Sequence, residues 1–169
     1  MKSWPEKHPE RIAIVDNIRS LHNVGAIFRT ADGAGFGGVI LCGITAQPPR
    51  AEIRKSALGA EEFVPWKYVQ KTQDAIASLR RDGYQIIALE CTEHSQPLDG
   101  FHPVDKIALV IGNEYYGISN EILDICDEIR HLPMRGEKIS LNVSVAFGIA
   151  AYELAKHYDQ KESPQRNEI

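Results

Sequence analysis

Three short segments of this 169-residue chain gather glycine, small polar and charged side chains in spacings that chemistry could use. The first, Asn23-Val-Gly-Ala-Ile-Phe-Arg29-Thr, reads as the opening of a helix. Asn23 suits an N-cap, Gly25 permits close backbone approach, and Arg29 lies about 600° further round the helix at roughly 100° per residue. The two polar side chains therefore sit on different faces and meet one ligand only where the helix end is open; a capped helix with an exposed Arg explains the segment equally well. The second, Ala108-Leu-Val-Ile-Gly112-Asn-Glu114-Tyr-Tyr-Gly117-Ile-Ser119, ends an apolar strand at Gly112 and carries Glu114 into a turn bounded by a second glycine. Backbone amides can face a ligand in such a turn. Glu114 can equally cap a helix beginning near Ser119, or pair with an arginine. The third, Leu132-Pro-Met-Arg-Gly136-Glu-Lys-Ile-Ser140-Leu-Asn142-Val-Ser144, crowds three small polar groups at the start of an apolar helix. Capping uses one or two of them. The surplus favours a site, since free amides at a helix start suit a phosphate or carboxylate.

These segments need a frame that brings them together. Arg11 to Asn17, Val39 to Cys42, Tyr84 to Glu90, Lys106 to Ile111 and Glu128 to Leu132 read as strands, several of them continuously apolar. Helical spacing falls at Asn23 to Ala34, Thr72 to Asp82 with Thr72 as cap and Gly83 as stop, Ser119 to Cys126, and Asn142 to His157. Apolar strands alternating with helices predict an α/β fold, a mostly parallel sheet covered by helices on both faces. Ligands in such folds bind beyond the carboxyl ends of the strands. Residues 1–10 form a short extension, 11–157 one domain, and the polar string from 158 to 169 a frayed tail.

With 43% apolar and 25% charged residues, the composition excludes disordered and collagen-like chains. No apolar run approaches the roughly 20 residues of a membrane span, the N-terminus carries no signal core, and Cys42, Cys91 and Cys126 cannot all pair internally. A reducing cytoplasm follows as the expectation. The net charge of −4 argues against bulk electrostatic binding of nucleic acid, yet residues 1–60 carry 8 basic against 5 acidic groups. A local basic surface could still contact a few phosphates. The six histidines show no zinc spacing, and no Walker loop, dinucleotide fingerprint or nucleophile elbow occurs.

Taken in order, Asn-x-Gly-x-x-x-Arg-Thr, Gly-Asn-Glu-x-x-Gly and Leu-Pro-Met-x-Gly-x-x-x-Ser-Leu-Asn-Val-Ser resemble the three motifs of the SpoU/TrmH family of RNA ribose methyltransferases, in the SPOUT superfamily. With the intervening Arg54-Lys-Ser-Ala-Leu-Gly-Ala-Glu61, the resemblance covers Ile12 to Leu154. It implies a C-terminal deep trefoil knot, a rarity among folds, and an S-adenosylmethionine-dependent methyl transfer to a ribose 2'-hydroxyl, leaving S-adenosylhomocysteine, with no metal. By position, Leu89, Gly112, Leu132, Met134 and Leu141 would hold the cofactor. Glu114, Ser140 and Asn142 would line the pocket, while Asn23 and Arg29 would reach the RNA ribose across a homodimer interface. The family gives the base role to the Arg matching Arg29; a guanidinium is protonated at neutral pH, so Arg29 equally fits a clamp on phosphate and forming alkoxide.

Many family members carry an added RNA-binding domain or helical extensions, and here about ten residues precede the first strand. Recognition would then fall to Arg11, Arg19, Arg50, Arg54 and Lys55, with transfer RNA favoured over ribosomal RNA as the compact target. Val145, Phe147, Ile149 and Leu154 on the last helix either face a second subunit or fill the monomer core. The rival readings are a knotted RNA-binding or assembly protein without turnover, a base methyltransferase of the same superfamily, and a nucleotide-binding module of another α/β fold.

Overall fold

The structure, a computed structural model, describes Trp4 and residues 9–162, with side chains up to Asp159. Seven strands form one sheet: β1 (Arg11–Asp16), β2 (Gly38–Cys42), β3 (Trp66–Val69), β4 (Gln85–Leu89), β5 (Gln96–Pro97), β6 (Ile107–Ile111) and β7 (Glu128–His131), in the order β3-β2-β1-β6-β4-β7-β5. Every pairing is parallel. The central strands β1, β2 and β6 are buried along their whole length, which is why their sequences are continuous rather than alternating. The sheet therefore has two apolar faces.

Alternate residues of each strand feed alternate faces. Ala13, Val15, Val39, Leu41, Leu109 and Ile111 pack under α1 (Leu21–Gly33), α2 (Ala51–Ala57), α3 (Ala60–Phe63) and α6 (Val143–Glu162). Ile12, Ile14, Ile40, Ile86, Ala108 and Val110 pack under α4 (Thr72–Arg81) and α5 (Asn120–Leu123). Phe28 of α1 and Phe147 of α6 are fully buried, each worth about 1.5–3 kcal/mol of removed apolar surface.

The fit between α1 and α2 depends on Gly25. A Cβ there would stand 2.9 Å from the Ala57 amide and closer still to the Ile53 carbonyl and the Ser56 hydroxyl. Ser56 also donates to the His22 carbonyl at 2.8 Å, which locks the two helices at their closest point.

Several expectations change. The N-cap of α1 is Ser20, whose hydroxyl accepts the Asn23 amide at 3.2 Å, so Asn23 lies inside the first turn. Thr72 does not cap α4: Lys71 holds that position, and the Thr72 hydroxyl donates instead to the Asp16 carboxylate. The helix after Ser119 is a single turn. α6 continues through 158–162, with Tyr158 buried, where a frayed tail was expected; residues 163–169 lie outside the described residues, as do 1–3 and 5–8 of the extension. β3, β5, α2 and α3 went unforeseen. The apolar surplus of α6 divides in two: Phe147 and Leu154 are core, whereas Val145 and Ile149 are about half exposed.

Arg11 is 3% exposed, at the first residue of a central strand, with its guanidinium 4.7 Å from the centre of the Tyr158 ring. Its neighbours β2 and β6 and the covering α6 shut it away from any RNA surface, which corrects the expectation.

Candidate active site

Because all strands run parallel, their carboxyl ends share one edge, and the chain order reverses about the β1–β6 pair. That is where such folds open a crevice. The loops after β1, β4, β6 and β7 meet there around a cleft of about 1040 Å³.

Glu114 ties the β6 loop to the start of α1. Its carboxylate accepts the Arg19 amide (3.0 Å), the Ser20 amide (2.9 Å) and Asn23 Nδ2 (3.1 Å). Burial raises its pKa, but the amides of Arg19 and Ser20, its own amide and the Asn23 side chain outweigh that and hold it below the ordinary 4.5. Glu114 is therefore an anchored carboxylate with both oxygens engaged, poorly placed to take a proton at neutral pH. It serves α1, not the helix after Ser119.

The loop around Glu114 is rigid for reasons written in its glycines. A Cβ on Gly112 would stand 2.6 Å from the Gly117 carbonyl carbon, so the chain can fold back on itself only there. Gly117 has φ +66°, the left-handed region. Asn113 Oδ1 accepts the Tyr115 and Tyr116 amides (2.9 and 3.0 Å), and its Nδ2 donates to the Asn17 carbonyl at 2.8 Å. Glu90, at the end of β4, accepts the Ile118 amide at 3.0 Å.

Asn142 is the N-cap of α6. Its Oδ1 accepts the Ser144 amide (2.9 Å), the Ser144 hydroxyl (2.6 Å) and the Val145 amide (3.3 Å), while its Nδ2 donates to Asn23 Oδ1 at 3.3 Å. A continuous chain of hydrogen bonds thus runs from the start of α6 through Asn142, Asn23 and Glu114 to the start of α1. Asn23 meets Asn142 within one chain, not from a neighbouring subunit as expected.

Leu89, Gly112, Leu132, Met134 and Leu141 all line the cleft, together with Asn23, Glu114, Ser140 and Asn142. Arg29 does not: it is exposed on α1, one turn before Gly33, where a Cβ would stand 2.9 Å from the Tyr152 hydroxyl of α6. Of the basic residues, Arg19 stands on the cleft rim, and Arg50, Arg54 and Lys55 are exposed at α2, Arg54 within 3.8 Å of Glu62. Glu90 is a cleft residue that the motifs left out, and Asn113, inside the second motif, lines the cleft without having been singled out. The end of β4 is a strand terminus like those of β1 and β6, which was the signal available for Glu90.

The cleft can take an amphipathic ligand with a positive centre. Leu89, Leu132, Met134 and Leu141 give apolar walls, and the carboxylates of Glu90 and Glu114 give the negative side. Burial pushes the Cys42 and Cys126 thiols up to about 12, and neither lines the cleft; Cys91 is exposed on it. Among the described residues, no three His, Cys, Asp or Glu side chains cluster to hold a metal, and no helix is long and apolar enough to cross a membrane.

Residues 10–152 match the SpoU rRNA Methylase family. The 23S rRNA (guanosine-2'-O-)-methyltransferase RlmB of Coxiella burnetii is 34% identical, over 92% of this chain and 61% of its own length. The tRNA (guanosine(18)-2'-O)-methyltransferase of Aquifex aeolicus is 31% identical, over 92% of this chain and 74% of its own. The chain thus spans about three-fifths to three-quarters of these relatives. Among solved structures, the A. aeolicus TrmH/SpoU tRNA modifying enzyme superposes with a TM-score of 0.81 at 31% identity, covering 90% of this chain and 77% of that one. The AdoMet-bound rRNA methyltransferase from Sinorhizobium meliloti gives 0.83 at 30%, covering 90% and 58%. With the family matched across nearly the whole described domain and residues of all three motifs, Arg29 excepted, drawn to one cleft, the chain belongs to the SpoU methylase family.

Proposed function

We propose that this chain transfers a methyl group from S-adenosylmethionine to a ribose 2'-hydroxyl of RNA, transfer RNA before ribosomal RNA, as a cytoplasmic homodimer whose C-terminal segment is threaded into a trefoil knot. One observation carries the reading: the Asn142–Asn23–Glu114 chain of hydrogen bonds draws three distant motifs to one cleft beside Leu89, Gly112, Leu132, Met134 and Leu141. The donor set suits the cofactor, with apolar walls for adenosine and two carboxylates, Glu90 and Glu114, for a sulfonium. When bound, S-adenosylmethionine supplies the electrophilic methyl carbon. The knot is supported by β6 lying between β1 and β4 and by α6, after the long loop from 132 to 142, returning onto α1.

The chain's own residues then have separable tasks. Asn23, Asn142 and Glu114 position the loops, since their side-chain atoms are engaged with one another and with helix amides. Ser140, exposed on the cleft, holds the ribose hydroxyl. Arg29, exposed on α1, whose Thr30 and Gly33 approach Gly148 and Tyr152 of α6, is delivered to the cleft of a second copy packed on the face that carries the half-exposed Val145, Ile149 and Tyr152. There it clamps the adjacent phosphate and steadies the forming alkoxide while the hydroxyl proton passes to solvent water. Alignment of two reactants contributes about 7–11 kcal/mol, against the roughly 3–5 kcal/mol equivalent of a general base, so a site of positioning groups suffices. The modest basic surface, Arg19 on the rim and Arg50, Arg54 and Lys55 on α2, suits a compact target.

The test is methyl transfer from labelled S-adenosylmethionine to bulk transfer RNA and to ribosomal RNA in separate reactions, followed by alkaline digestion. Incorporation into alkali-resistant dinucleotides, lost in Arg29→Ala and not restored in Arg29→Lys, is the expected result. RNA binding without incorporation would leave a non-catalytic binder. A methylated base would place the chain elsewhere in the superfamily.

A further inference from the structure

A second cleft, of about 770 Å³, lies beside the first at the carboxyl ends of β1 and β2. The two share one wall, the loop from Asn113 to Gly117, together with Arg19. At the crest of that wall Tyr115 and Tyr116 are 79% and 87% exposed. Two adjacent tyrosine rings held out in water need an explanation, and the loop does not wave them there. Asn113 fixes both their amides, and Gly112 and Gly117 lock the turn. The Arg19 guanidinium already lies 5.9 Å from the centre of the Tyr115 ring, leaving Tyr116 as the open face.

Ile44 and Ile122 give the second cleft apolar surface for a planar ring, and the Asp16 carboxylate lies buried in its wall. Gln70, Gln73, Ser119 and Glu121 offer hydrogen-bond donors and acceptors, and Lys71 and Arg19 supply positive charge at its edges. Planar ligands with polar rims and phosphates between them match that arrangement, and rigid exposed aromatic rings are the surfaces on which unpaired bases stack.

Resting on the methyl-transfer reading, we infer that the second cleft receives the nucleobase next to the methylated nucleotide, stacked on Tyr116, while Arg19 and Lys71 hold the phosphates on either side. The RNA strand crosses the Asn113–Gly117 wall from one cleft to the other. Sequence preference at the flanking nucleotide is then read by Gln70, Gln73 and Glu121, separately from the chemistry at Ser140.

The experiment measures binding of bulk transfer RNA and of poly(A) and poly(U) by wild type and by Tyr116→Ala, Tyr116→Phe and Tyr116→Trp, with S-adenosylhomocysteine affinity measured in parallel. Losing one stacked base weakens RNA binding about 5- to 150-fold in Tyr116→Ala. Tyr116→Phe and Tyr116→Trp keep it within about 3-fold, because the ring and not the hydroxyl does the stacking. Fluorescence of Tyr116→Trp is quenched by RNA beyond the change seen in wild type. The inference is overturned if Tyr116→Ala binds RNA as wild type does, if Phe and Trp fail as badly as Ala, or if S-adenosylhomocysteine affinity falls as far as RNA affinity. A change of mass by light scattering in Tyr116→Ala, marking a subunit contact, overturns it as well. Wild type that transfers methyl groups while Tyr116→Ala binds RNA normally refutes the stacking alone. Wild type that binds RNA with the Tyr116 dependence but never transfers a methyl group refutes the functional reading alone.

Discussion

Replacing Glu114 by Gln asks whether the carboxylate is an anchor or a reagent. A Gln side chain keeps one acceptor oxygen. Placed where Oε1 stands, it still serves the Ser20 amide at 2.9 Å and Asn23 Nδ2 at 3.1 Å, while the Arg19 amide, bonded to Oε2 at 3.0 Å, meets an NH2 group. Losing a hydrogen bond to a charged acceptor costs about 1.5–3 kcal/mol in general. The Arg19 amide is exposed enough for water to replace part of it. Removing a negative charge from the start of α1 adds roughly 0.3–1 kcal/mol. The expected net destabilisation is about 1–2 kcal/mol, or some 2–8 °C in Tm for a chain of this size. The pH dependence adds a second reading. Glu114 has a folded pKa below 4.5, so the unfolded chain binds more protons, and the anchor's contribution is complete above 4.5 and lost as pH falls through the folded value. Gln has no such loss. Urea unfolding of both proteins at pH 7 and at successively lower pH should show a gap that closes in acid. Equal stability at pH 7, or a gap indifferent to pH, would refute the anchor.

Three further outcomes follow from other contacts. Gly25→Ala drives a methyl group into the Ile53 carbonyl and the Ala57 amide, which are backbone and cannot rotate away; a loss of about 1–3 kcal/mol, read in a thermal melt, is expected, and an unchanged melt contradicts the close helix contact. Asn142→Ala loses the cap of α6, about 0.5–2 kcal/mol, together with the bond to Asn23. Asn142→Asp keeps the cap acceptor but cannot donate to Asn23, so it should recover stability without recovering S-adenosylhomocysteine affinity by calorimetry; recovery of both would remove Asn23 from the argument. Asp16 has its pKa raised by burial, against the bonds from Thr72 and Asn17, so its own contribution to stability is complete below 3.8 and is lost as pH rises through the folded value. Asp16→Asn keeps an acceptor for both partners and should flatten that limb of the stability profile measured by denaturant; an unchanged profile excludes Asp16 as its source.

The sequence revealed what is repeated along the chain and hid what depends on distant partners. β1, β2, β4 and β6 are legible because burial on both faces makes each run apolar. β3 escaped because Trp66-Lys-Tyr-Val69 is a half-buried edge, and β5 because two residues make no pattern. Asn23 read as an N-cap since its side chain suits that role, yet Ser20 three residues earlier fills it. What sets Asn23 apart is a carboxylate 91 positions away and an amide 119 positions away. Neither separation leaves a local signal. The polar surplus at 140–144 was correctly unusual, and it resolves unequally: Asn142 and Ser144 share the cap, while Ser140 remains on the cleft.

That unequal division bears on how the site can act. Asn23 and Asn142 each use both ends of an amide inside the chain, and Glu114 uses both oxygens, so three of the motif side chains are committed before any ligand arrives. Each also serves as a structural joint: Asn142 opens α6, Glu114 closes the start of α1, and Asn23 links them. A substitution at any of the three therefore shifts two helices at once, and lost turnover there cannot by itself identify a proton acceptor. Ser140 and Arg29 are the informative positions, because neither serves as such a joint. They also lie apart within one chain, Ser140 on the cleft and Arg29 on the exposed face of α1. Mixing an Arg29→Ala subunit with a Ser140→Ala subunit separates the possibilities. If Arg29 acts across an interface, the mixed dimer regains one intact site and about a quarter of wild-type turnover under random association. If Arg29 acts within its own chain, no combination of the two recovers any.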